Sequence, residues 1–365
     1  MVAALWLGMV AMLSLSAVAA ALVAPGTFWS TRATPRDVFR VGTGVAFSAW
    51  VHPSLGLLAG LGALWWWRQG WMAAAGATFW PLVAGAIWLG LMAPAWAMHA
   101  GVALLLAVGV VQVILGVAQA SGLPLFRHPD MIHGTIGHRT GYGIFLALLV
   151  PLAFLSEAGP WLAAVYAVGI LLSFSSVAAG AALVGMVTVL PSSWLPATAL
   201  AVLGIGVRVF KLQPGKPPGF AFRLWPSRRW VNTRHVGQSV QNRRLILVAT
   251  VSHMRGWRDW LVGHGPEAFT HQAHGWIADT NLREHFREAH NDYVEGLYDY
   301  GLLGVAAGLL WVLTQPFRIG DPVTGSLAAF GVAMLANFPL RVATTATVAL
   351  VCVILLMRRS HGWAW

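Results

Sequence analysis

Charge is scarce in this chain. Of 365 residues only 10% are Asp, Glu, Lys or Arg, while 58% are hydrophobic; an ordinary soluble domain carries about 25% charged residues. That shortage excludes a soluble globular protein and leaves an integral membrane protein. Acids are the scarcer sign, twelve against 23 Lys and Arg, for a net charge of +11. There is one cysteine, Cys352, and it lies in an apolar run. No disulfide framework can exist, and cysteine usage is silent about compartment. Metal-site patterns are missing too: neither H-E-x-x-H nor CxxC occurs.

What the chain has in quantity is tryptophan and long apolar runs. Twenty tryptophans suit indole rings gathered at a membrane interface, and Trp65-Trp66-Trp67-Arg68 with Trp71 reads as one such belt. Apolar runs of about 20 residues mark membrane helices. They fall at 3–24, 41–66, 72–94, 99–120, 140–156, 160–174, 176–191, 194–210, 301–315, 322–338 and 342–358. The expected fold is therefore all-α, with about eleven (10–12) transmembrane helices. About eight lie in a bundle over 1–210, one long extracytoplasmic loop follows over 211–300, and the last helices and a short tail occupy 301–365.

The interval 160–191 decides parity, being long for one crossing and short for two. Read as two, it puts Arg32, Arg36, Arg40, Arg318, Arg358 and Arg359 inside, and Arg68, Arg127, Arg139 and Arg341 outside. Read as one, the last three short segments invert. The positive-inside rule favours two, which places the 121–139 and 211–300 loops on the outer side. The first run lacks a basic segment before it, so an uncleaved first helix with its start outside is expected rather than a signal peptide.

Thirteen of the 23 Lys and Arg lie between Arg208 and Arg287. They are not interleaved with aromatics as in an RNA-binding signature. The stretch instead suits a phosphorylated or polyanionic ligand, or the headgroups of membrane lipids, and nucleic acid is not an expected partner. The segment "KLQPGKPPGF" (211–220) reads as a linker leaving the bundle.

Candidate residues for chemistry lie along that loop. "QNRRLILVATV" (241–251) begins with Arg243 and Arg244, whose guanidinium forks can grip a phosphate or snorkel from an interfacial helix into headgroups. "GWRDWLVGHGPEAF" (256–269) holds Gly263 and Gly265 about His264, a turn able to bring backbone over a ligand or to serve as an ordinary loop. His271-x-x-His274, with His264, His285 and His290 nearby in sequence, leaves a zinc site open as an alternative. "AHNDYVEGLYDYGLLG" (289–304) puts His290, Val294 and Leu297 on one helical stripe and Asp292, Glu295 and Asp299 on another. An imidazole there can take a proton from an attacking hydroxyl, with Asn291 or Asp292 orienting it. Glu295 and Asp299 read as a solvated face. In the shorter outer loop, Gly134, Gly137, Gly141 and Gly143 imply close backbone approach, and His138-Arg139-Thr140 stands at the mouth of the next span.

Three of these segments, in this order, resemble the O-antigen ligase and O-antigen polymerase family, which also includes some protein O-oligosaccharyltransferases. "GTIGHRTGYGIFLALLVPLAF" (134–154) is similar to its Gly-Thr-hydrophobic-Gly-Asn-x-Asn segment. "RRLILVATV" (243–251) with "GHGPEAF" (263–269) resembles its Arg-x-x-x-Leu element and Gly-x-Gly sequel. "HNDYVEGLYDYGLLG" (290–304) resembles its His-Asn-x-x-Leu element. The resemblance covers about 134–304 and implies a GT-C-like, metal-independent membrane glycosyltransferase without a cofactor. Its donor would be a glycan on undecaprenyl pyrophosphate, its acceptor a glycan or lipid core. Its place would be a bacterial inner membrane, with the site facing the periplasm or exterior.

Carried over by position, His290 meets the acceptor hydroxyl and Arg243 or Arg244 binds pyrophosphate. Asn291, Asp292, Gly263, Gly265, His138 and Arg139 line the substrate. The chain departs from the pattern in two places. Ser176-Val177-Ala178 stands where Ser-Arg-Gly is usual, and His138 and Thr140 replace the two asparagines. Polymerase and ligase share the motifs. The chain's end just after Arg359 favours surface polysaccharide over a protein acceptor. A non-catalytic transporter or flippase, and a metallohydrolase built on the loop histidines, are the competing readings.

Overall fold

The computed structural model describes residues 45–69, 74–121, 132, 134–136, 139–173, 175–190, 244–277, 291–337 and 339–362. Among them there are helices and turns and no strands. The helices are α1 (45–51), α2 (Pro53–Gln69), α3 (Ala74–Met92), α4 (Ala95–Ala120), α5 (Arg139–Ala153), α6 (Gly159–Ser173) and α7 (Ser176–Val189). Then come α8 (244–252), α9 (Trp257–Val262), α10 (Ala268–Ile277), α11 (Asp292–Thr314), α12 (Pro322–Ala336), a 3₁₀ turn (Pro339–Arg341) and α13 (Ala343–Ser360).

A helix apolar on every side has to be covered on every side. That helix is α5, whose residues from Gly141 to Ala153 are all buried. It packs against α4, α6, α7, α12 and α13 and forms the axis of the larger apolar core. Small residues let these neighbours close in, as membrane bundles require. At the crossing of α7 and α12 two glycines meet: a Cβ on Gly185 would lie 3.0 Å from the Gly325 carbonyl, and one on Gly325 2.7 Å from that of Gly185. The outward surface is apolar as well. On α11, Leu302, Val305, Leu309 and Leu313 are exposed at spacings of three and four, and Trp161, Val165, Val168 and Leu171 repeat the pattern on α6. Water does not reward such stripes; hydrocarbon does.

Among the described residues, three helices are long and apolar enough to cross a membrane: Ala95–Ala120, Asp292–Thr314 and Ala343–Ser360. The other bundle helices are shorter apolar segments. The expected runs 3–24 and 194–210 lie outside the described residues. The interval 160–191 forms two helices, α6 and α7. Ser173 Oγ accepts from the Ser175 amide, and Ser175 Oγ in turn accepts from Ala178 N and caps α7. The run expected at 301–315 is corrected at its start: the helix begins at Asp292, capped by Asn291, and runs on through a kink at Gly301 (φ 63°).

Polar contacts sort the helix ends into two sets. At one end, Arg358 directs Nη1 at the carbonyls of Gly90 and Leu91 in the last turn of α3 and of Ala93 just past it. Arg359 meets Asp321 at 2.6 Å, and Gly320 N donates to Thr188 O. At the other end, Leu340 N donates to Asp292 (3.0 Å) and Asn291 Nδ2 to the Leu335 carbonyl. There Gly141 lies beside Val342, and Trp80 Nε1 donates to Tyr300 Oη. Helices α12 and α13 run between the two sets. Residues 134–136 and Arg139, the 244–277 segment and the start of α11 therefore share an end, and Arg318, Arg358 and Arg359 belong to the opposite one.

Candidate functional site

The site is built on the first turns of α11. Asn291 sits in extended conformation (φ −158°, ψ 102°), and its Oδ1 accepts from Tyr293 N and Val294 N. This satisfies two of the four amides that a helix start leaves open. Its Nδ2 donates to Leu335 O (3.0 Å), so both ends of the amide are committed to fixing where α11 begins. Asp292 reaches across to Leu340 N and ties that start to the corner between α12 and α13.

Glu295 and Asp299 are not a solvated face. Each is 4% exposed, and Asp292 6%, so the acidic stripe points inward. Carboxylates are buried only when paired or hydrogen-bonded, and Asp299 shows how. Its Oδ2 accepts from Glu267 N and its Oδ1 from Phe269 N, both at 3.0 Å. A carboxylate thus caps the N-terminus of α10 from a different helix, where the helix dipole favours negative charge.

The same region of α11 seats the 263–269 turn. His264 N donates to Tyr298 O (2.8 Å) and Gly265 N to Asp299 O (2.9 Å). Those two carbonyls are open because Gly301 breaks the helical φ, ψ three residues on. Gly263 (φ 72°) and Gly265 (φ 108°) take left-handed backbone. A Cβ on Gly263 would lie 2.4 Å from Asp299 O, and one on Gly301 2.5 Å from Gly263 N. The turn is backed onto α11. His264 stacks on Tyr298 (centroids 4.2 Å, 10° between planes), with Nε2 3.8 Å from Asp259.

Arg244 opens α8 and is exposed. Two residues on, Ile246 is buried with Met254, Ala268, Phe269 and Tyr298 in a second, smaller apolar cluster, which moors α8 to α10 and α11. Arg139 is the first residue of α5; Gly141 beside Val342 places it near the corner that Asp292 holds. The structure thus brings Arg139, Arg244, Gly263, Gly265, Asn291 and Asp292 to one end of the bundle. His290, Arg243 and His138 lie outside the described residues. Of the loop histidines, His271 lies 3.9 Å from Glu267. Among the described residues no three His, Cys, Asp or Glu groups converge to hold a metal.

Of the glycines in the 134–143 stretch, the described ones, Gly134, Gly141 and Gly143, meet the protein itself. Gly134 (φ 54°) lies where a Cβ would come within 2.1 Å of Gln112 Oε1, and Gly143 faces Ser173 and Ala178. The loop is clipped to α4 by two glutamines that sequence reading passed over. Gln112 bonds the Thr135 amide (3.0 Å) and hydroxyl (2.6 Å), and Gln119 accepts from Gly134 N (2.9 Å). Their seven-residue spacing on an apolar helix was the available signal. Chemically, Asp292 and Asp299 turn inward onto backbone amides while Arg244, Arg255 and Arg258 stay exposed, which suits an anionic ligand. The chain matches no protein-family model and no curated protein.

Proposed function

We propose that the chain is a multi-pass membrane glycosyltransferase of the O-antigen ligase and polymerase type, with about eleven crossings and its site on the outer face of a bacterial inner membrane. The observation that supports this most is convergence. Residues 134–136 with Arg139, segment 244–269 and the first turns of α11 are far apart in sequence and lie toward one end of the bundle, away from Arg318, Arg358 and Arg359. That separation of charge fits the positive-inside rule with the site outside.

In the reaction, an acceptor hydroxyl attacks the anomeric carbon of a glycan carried on undecaprenyl pyrophosphate. A new C–O bond forms, the sugar–phosphate bond breaks, and the lipid pyrophosphate leaves with the electron pair. The hydroxyl proton passes to the His290 imidazole and then to water. Arg244 or Arg243 meets the charge that grows on the leaving pyrophosphate, and so stabilises the transition state more than the bound donor. Arg139, with His138, supplies the second phosphate contact that Val177 lacks. Asn291, committed as a helix cap, acts by fixing the backbone next to His290. Buried Asp292 does the same for the corner at Leu340.

The test is transfer between a lipid-linked oligosaccharide and an acceptor glycan by the purified chain. New glycosidic bonds are expected to form in the presence of chelator and to vanish in His290→Ala. Replacing the phosphate-binding arginine by alanine is expected to cost about a hundredfold in rate, the usual loss for one transition-state charge contact. Full activity in His290→Ala removes the catalytic assignment, and loss with chelator favours the metallohydrolase reading.

A further inference from the structure

We propose that α8 and α9 form a docking surface for the anionic bilayer, with an aliphatic face in the headgroup–acyl boundary and Arg255 and Arg258 on lipid phosphates. The pattern of α8 is inverted for an arm in water. Ile246, Ala249 and Thr250 are buried, and at 100° per residue the face away from them carries Leu247, Val248 and Val251. All three are exposed, Val248 to 58%. On α9, Trp257 is 70% exposed with the Arg258 guanidinium 5.4 Å over its ring, and Leu261 is exposed too. Aliphatics, tryptophan and arginine on one short amphipathic arm are the composition of a segment lying in a membrane interface.

Charge and position choose the occupant. Arg244, Arg255 and Arg258 are all exposed, and among the described residues no carboxylate pairs with their side chains. The nearest acid in sequence, Asp259, turns back to accept from Arg255 N and Gly256 N. The arm is moored at Tyr298, just before the Gly301 kink, and the outward aliphatic stripe of α11 starts at Leu302. The arm therefore leaves the bundle where a crossing helix leaves hydrocarbon, and the surface next to it is lipid. This inference needs α11 in a membrane and no transferase activity, so it stands or falls apart from the proposed function.

The experiment places a bimane label at Val248→Cys in the full-length chain; native Cys352 is buried. The protein is reconstituted in phosphatidylcholine vesicles with and without phosphatidylglycerol. Brominated lipid is expected to quench the label and iodide to be excluded. In the anionic vesicles, Arg255→Ala with Arg258→Ala is expected to shift the docked fraction toward iodide access, by about fivefold per arginine, with little change in the neutral ones. A label quenched by iodide and not by brominated lipid overturns the proposal. So does a label shielded from both, which would mean a protein surface covers the face. An anionic-lipid response unchanged by the double substitution overturns the role given to the arginines.

Discussion

Asp299 is the residue on which the local architecture turns. One carboxylate closes two backbone amides, those of Glu267 and Phe269, in a place where Phe269 is fully buried. Asp299→Ala leaves both donors without that acceptor in an apolar surround, and each such group costs about 1–3 kcal/mol. The expected loss is therefore about 3 kcal/mol, read from thermal unfolding in detergent, and Asp299→Asn, which keeps one acceptor oxygen, is expected to lose less. Sequence alone assigned Glu295 and Asp299 to water because acids are seldom buried. The spacing of Asp292, Glu295 and Asp299 did show that they share a face. What it could not show was that the partner is the turn 263–269, whose left-handed glycines aim amide hydrogens at this face from a segment some thirty residues earlier.

Helices and their ends were legible in unequal measure. Runs such as Ala95–Ala120 and Ala343–Ser360 announce themselves by length and apolarity. The break between α6 and α7 is a serine device inside an apolar interval, visible in sequence only as unfavourable length. The apolar run of α11 begins at 301, where the composition changes, whereas the one helix that carries it starts at the Asn291 cap, takes in the acidic stripe and passes through Gly301. At the opposite end, Asp321 caps α12 through Thr324 N (2.9 Å) and holds Arg359 at 2.6 Å. Burial pushes this carboxyl up. The Arg359 hydrogen bond, the Thr324 amide and hydroxyl and the Arg359 charge outweigh burial and hold it below its ordinary value. A carboxyl depressed by folding adds stability above its unfolded-state value, and that stability is lost as pH falls through the folded one. Unfolding midpoints followed downward from about pH 5 are expected to drop below about pH 4. Asp321→Asn is expected to be less stable at neutral pH and to lack this part of the acid dependence.

For the whole molecule, the pairing of helix ends ties these scales together. Arg358 and Arg359 converge on the end of α3 and on Asp321, while the start of α11, the 263–269 turn and residues 134–136 with Arg139 gather at the other end. The arginine count in short loops expects Arg318, Arg358 and Arg359 opposite Arg139, and these four lie toward opposite ends of the bundle. Arg358 and Arg359 find their acceptors among carbonyls and one acid at the helix ends. The arm's own construction was not legible, since its contacts join segments remote in sequence and its polar groups bond backbone rather than one another. Everything functional rests on the arm end facing outward. Maleimide labelling of intact spheroplasts, with a membrane-impermeant reagent and single cysteines at Ser252 and His361, measures that directly. Ser252→Cys is expected to label from outside, and His361→Cys only after permeabilisation. The reverse pattern, with the arm reachable only from the cytosolic side, would contradict the outward site and the transferase built on it.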